Sequence, residues 1–141
     1  MTPEQIALVQ SSYARVGPAV PDLAARFYVE LFGRNPSLRE LFTTDPGQQQ
    51  ARFADKLTEI VWAMPRLDEL LGHTRALGAR HAGYGVRALD YKAVGEALLG
   101  ALAAVLGDEF DGPTRDAWSL AYNLVAETML DGAASARPIG S

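Results

Sequence analysis

The chain contains two histidines, and one of them stands where it could bind a metal. His81 lies in the run LGARHAGYGV, with Leu70, Thr74 and Leu77 behind it at helical spacing on an otherwise apolar stripe. A neutral imidazole held in apolar surroundings is a good ligand for a transition metal such as haem iron. Low dielectric disfavours its protonation and leaves a ring lone pair for the metal. The same pattern also fits a hydrogen-bonded core histidine, and this stripe alone leaves both readings open. His73, next to Gly72, is read as a surface or helix-entry residue. Cysteine is absent, so disulfides, thiolate metal sites and thiol chemistry are removed together.

The elements that must position His81 are helical. Thr2-Pro3-Glu4-Gln5 has the form of a capping box with proline in the first turn, and Asn35-Pro36, Asp45-Pro46 and Gly112-Pro113 repeat the cap-then-proline device. Apolar residues keep the 3.6-residue period at Ile6, Val9, Tyr13 and Val16, at Leu23, Phe27 and Leu31, and at Phe53, Leu57, Ile60, Val61 and Met64. After the His81 segment come stripes at Val94, Leu98, Ala101 and Val105 and at Trp118, Ala121, Tyr122, Val125 and Met129, with Gly107 and Gly132 expected to end those two helices. Strand signals are nearly absent. The pattern predicts an all-α domain over residues 1–133 and a flexible tail over 134–141. The short segment between Asn35 and Pro46 favours helices crossing at steep angles over a simple four-helix bundle.

Length and composition bound the rest. The 141 residues fit one domain, and a 48% hydrophobic, 21% charged composition is that of a globular protein. A net charge of −4 with no basic stripe argues against nucleic-acid binding. The longest apolar runs are too short for a bilayer, and no charged-then-apolar leader opens the chain, so cytoplasmic residence is the expectation.

In this order and spacing the residues resemble the globin family, specifically bacterial single-domain haemoglobins and the globin half of flavohaemoglobins, with an echo of neuroglobin in the second half. The most specific stretch is LGARHAGYGV followed by DYKAVGEALLGAL, which supplies His81, Val86, Tyr91, Val94 and Gly95 at the family's spacings. Phe42 in LRELF matches the family's phenylalanine wedge. The resemblance implies a globin fold of about seven to eight helices around haem b.

It also implies roles. His81 would be the proximal iron ligand, with its second ring nitrogen donating to a neighbour that fixes the tautomer. Phe42 would lie against the porphyrin, with Phe53, Leu77, Tyr84, Val86, Tyr91, Val94 and Leu98 completing the pocket. On the opposite haem face, the matching positions are Tyr28 and a residue of the run Gln48-Gln49-Gln50. Gln49 is the preferred register, because it puts Phe53 one turn on and continues the stripe; Gln50 would put Ala54 there. A hydroxyl and a carboxamide aimed at polarised dioxygen would stabilise it and slow its release. Arg52 and Arg80 suit either haem propionates or solvent.

The implied function is reversible binding of dioxygen, with carbon monoxide and nitric oxide as further ligands, by a monomer or homodimer. Nitric oxide dioxygenation is the leading enzymatic expectation, dependent on a separate reductase, since flavin and nicotinamide sites are not found in these residues. The proximal side departs from the family: where a late glutamate is expected this chain has Ala133, with Glu127 and Asp131 earlier. The alternative reading is a haem-based gas sensor or regulatory globin.

Overall fold

The computed structural model describes residues 1–42, 45–66, 69, 71–72, 75–77 and 88–136, the side chains of 41, 88, 89 and 131–136 excepted. Five α-helices have both ends among them, residues 69, 71–72 and 75–77 are also helical, and no strand is found among the described residues. The five are α1 (Pro3–Val16), α2 (Val20–Arg34), α3 (Pro46–Ala63), α4 (Ala88–Leu106) and α5 (Gly112–Ala136).

Local chemistry sets most of the helix starts. The capping box ahead of α1 is complete: Gln5 N donates to Thr2 Oγ1 at 3.2 Å and Thr2 N donates to Gln5 Oε1 at 2.8 Å. Asp45 caps α3, its carboxylate accepting from Gln48 N at 3.1 Å. Between α2 and α3, the segment expected to be short is a six-residue 3-10 helix, Pro36–Leu41.

Two expected boundaries are corrected. The cap of α5 is Asp111 rather than Gly112: its Oδ1 accepts from Thr114 N at 2.9 Å, and Gly112 is already helical. Gly112 has no side-chain acceptor to offer an orphan N–H, and aspartate has. Gly132 does not end α5, which runs on through Ala136. A glycine costs a helix only about 1 kcal/mol relative to alanine, and the alanines that follow favour continuation. Gly107 does stop α4, with φ of 58° in the left-handed region that glycine adopts without strain.

The core forms where α2 lies across α4, the most extensive helix pairing in the fold, with α1 and α5 closing one side. Leu23, Phe27 and Leu31 of α2 and Ala97, Leu98, Ala101 and Leu102 of α4 are all buried, joined by Val9, Tyr13 and Val16 of α1 and Trp118 of α5. The buried face of α4 is built largely from small residues, Ala93, Ala97 and Ala101, and beside it the side-chain ends of Glu30 and Arg34 of α2 lie over Gly100. One buried polar contact fixes α1 against α5. Trp118 Nε1 donates to Ser12 Oγ at 2.8 Å, and that hydroxyl donates back to α1 carbonyls.

This contact gives a test of the packing. Ser12→Ala leaves the buried indole N–H of Trp118 without its acceptor and should cost about 1–3 kcal/mol, read as a lower urea midpoint at unchanged slope.

Candidate functional site

Four of the chain's five phenylalanines gather around one tyrosine. Tyr28, on α2, has Phe27, Phe32, Phe42 and Phe53 at centroid distances of 5.0, 5.8, 5.5 and 6.0 Å, most of them edge to face. Phe53 of α3 also stacks on Phe27 at 4.0 Å with an interplanar angle of 8°, which pins α3 to α2. Phe42 follows the 3-10 helix and packs edge-on against Phe32, whose other neighbour is the Arg39 guanidinium at 4.9 Å.

Into this enclosure Tyr28 brings a hydroxyl. Its proton goes to the backbone carbonyl of Gln49, at 3.3 Å. Burial disfavours the phenolate and pushes the Tyr28 pKa up to about 12, so the group remains a neutral donor across the physiological range. Tyr28, Phe42 and Phe53 are thus brought together with residue 49. The Gln49 and Gln50 side chains are both half-buried.

A second cluster forms at the start of α4. Tyr91, Ala126 and Met129 are buried together, with Leu77, Tyr122, Val125 and Leu130 packed on them. The Tyr91 hydroxyl is buried without a hydrogen-bond partner, which is an uncommon expense in a folded chain. Burial, then the nearby Asp90 carboxylate, pushes its pKa up and keeps the phenol neutral. Val94 and Leu98 continue α4 from this cluster into the main core.

Tyr122 is a residue whose part at this site the sequence did not disclose. Its hydroxyl donates to the Tyr91 carbonyl, and its ring lies so close to α4 that a Cβ on Gly95 would fall 2.6 Å from it. Burial, then Tyr91, pushes its pKa up. The available signal was Gly95 itself, a helix-interior glycine four residues after Tyr91 that calls for a packing reason. His81, His73, Arg80, Tyr84 and Val86 lie outside the described residues, as do the side chains of Asp131 and Ala133. Arg52 is exposed on α3, and Glu127 is exposed on α5. Among the described residues no group of three or more His, Cys, Asp or Glu is placed to hold a metal ion.

With this geometry in place, comparison with known proteins is decisive. A family model described as Globin matches residues 25–129. The chain belongs to the globin family. It is 31% identical to the flavohemoprotein of Bordetella pertussis across 92% of its own length, and spans 33% of that protein. It is also 31% identical to a leghemoglobin of Psophocarpus tetragonolobus, with 91% of this chain and 94% of that one covered. A bacterial globin structure from Campylobacter jejuni superposes with a TM-score of 0.82 over 95% of this chain and 97% of that one, at 24% identity, a likeness of fold. The chain thus spans about a third of the length of the flavohemoprotein and nearly all of the leghemoglobin. Membership of the family implies haem binding. No helix among the described residues is long and apolar enough to cross a membrane.

The pKa of Tyr28 carries a pH prediction. Because its folded value, about 12, lies above the ordinary 10.0, its contribution to stability is fully present below pH 10 and is lost as pH rises from 10 towards 12. In alkaline spectrophotometric titration Tyr28→Phe should remove one phenolate, appearing near pH 12.

Proposed function

We propose that this globin holds haem b with His81 as proximal ligand and binds dioxygen reversibly beneath Tyr28 and Gln49. The observation that carries the reading is the Tyr28 hydroxyl, a neutral donor in an aromatic enclosure, facing the first turn of α3. Haem, when bound, supplies a ferrous iron that takes up dioxygen, carbon monoxide or nitric oxide.

The chain's own residues do the rest. Phe42 and Phe53, with Phe27 and Phe32 behind them, exclude water, so that a donor in the pocket acts in low dielectric. A hydrogen bond from Tyr28 to a polarised diatomic ligand would contribute about 1.5–3 kcal/mol in such a place. The Gln49 carboxamide is the second donor, and Phe53, which touches Tyr28 from one turn further along α3, supports that register over Gln50. On the proximal side the unpartnered Tyr91 hydroxyl fits a site built for another polar group, and His81 is the partner assigned to it. Leu77, packed on the same cluster, lines that side. No cysteine is available for thioether attachment, which agrees with a non-covalently held macrocycle.

Nitric oxide dioxygenation is the enzymatic extension of this reading, with electrons returned by a separate reductase. The chain has Ala133 where the family's late glutamate is expected, and Glu127, earlier on α5, is exposed. That favours gas binding over rapid turnover.

Haemin added to the chain should give a Soret band that shifts on reduction and again with dioxygen or carbon monoxide. His81→Ala should lose the band or hold the macrocycle loosely, and an unchanged spectrum in that variant would remove the proximal assignment. Tyr28→Phe should speed dioxygen dissociation about tenfold or more, since 1.4 kcal/mol is one decade. Coincident stopped-flow traces of variant and parent would show that the hydroxyl is not at the ligand.

A further inference from the structure

The hydrogen bond from Tyr28 ends on the Gln49 backbone rather than on its carboxamide. That choice of acceptor has a mechanical meaning. Gln49 belongs to the first turn of α3, whose other tie is Asp45: its carboxylate accepts from Gln48 N at 3.1 Å and its carbonyl from Gln49 N at 3.0 Å. One turn on, the Phe27–Phe53 stack holds α3 to α2 whatever the hydroxyl does. Tyr28 is therefore a cross-link between α2 and the leading turn of α3, placed between a cap and a stack.

A phenol has one proton, and two acceptors compete for it. At 3.3 Å the bond to the carbonyl is long for an O–H···O contact and hence weak. A helix-interior carbonyl also keeps its own intrahelical N–H, so losing the hydroxyl leaves no unsatisfied acceptor. An acceptor carrying negative charge forms a bond roughly twice as strong as a neutral one. The polarised diatomic ligand wins that competition.

Resting on the reading of the site given above, we propose that Tyr28 is a latch: its hydroxyl fastens the first turn of α3 through the Gln49 carbonyl, and a polarised ligand in the pocket takes the proton and releases that turn. Ligand occupancy is thereby coupled to the opening of residues 46–50, at the edge of the pocket.

Amide hydrogen exchange on the haem-reconstituted full chain tests this, with the absorption spectrum recorded on the same samples. In the parent, loading the ferrous protein with dioxygen should raise exchange several-fold at amides 48–53 and leave α5 unchanged. Tyr28→Phe should show the raised exchange before loading and no further rise on loading. The latch is overturned if the parent's exchange is flat on loading while its spectrum shifts normally. It is equally overturned if unloaded Tyr28→Phe exchanges as slowly as the parent. A chain that gives no haem spectrum at all sinks the functional reading and the latch together, an outcome distinct from the other two.

Discussion

The crossing of α2 over the small-residue face of α4 is the contact on which the rest of the structure depends. Ala93, Ala97 and Ala101 give α4 a low surface for α2 to lie across, and Leu23, Phe27 and Leu31 fill the space between. Close packing of this kind determines more than stability. It fixes the rotation of α2 about its own axis, and so decides that Tyr28, next to the buried Phe27, faces α3 and the 3-10 helix.

From that orientation the two candidate faces of the site differ in kind. The Tyr28 side is aromatic, with one hydroxyl engaged by a peptide carbonyl in a long bond that a better acceptor can replace. The Tyr91 side is held rigidly, since Tyr122 both bonds the Tyr91 carbonyl and lies against Gly95, while the Tyr91 hydroxyl is left buried and unpartnered. A weakly held donor suits a group that must exchange partners. A clamped backbone presenting an unsatisfied hydroxyl suits a group that must wait in place for one.

Leaving that hydroxyl unpartnered goes against the tendency of folded chains to satisfy every buried polar atom. Such departures from local economy gather where a structure is prepared for something besides its own chain. The same reasoning separates Tyr91 from Tyr13 and Tyr122. Tyr13 shares its hydroxyl with Thr58 Oγ1 at 2.6 Å, and Tyr122 bonds a carbonyl, so both are structural in their immediate contacts.

Periodicity alone determined the helices, because an apolar stripe every 3.6 residues has one economical use, and capping chemistry placed the starts of α1 and α3 because the orphan N–H groups of a first turn need an acceptor nearby. The family could also be named from His81, Val86, Tyr91, Val94, Gly95 and Phe42, whose order and spacing are properties of the chain itself. Sequence could not say that α5 would pass through Gly132, since one glycine's small penalty is outweighed by its neighbours. Nor could it say that Tyr28 would bond the Gln49 peptide, that Phe53 would stack on Phe27, or that Tyr122 would lie on Gly95. Each of these depends on the distance and rotation between helices remote in the chain, and those are set only when the whole core packs at once.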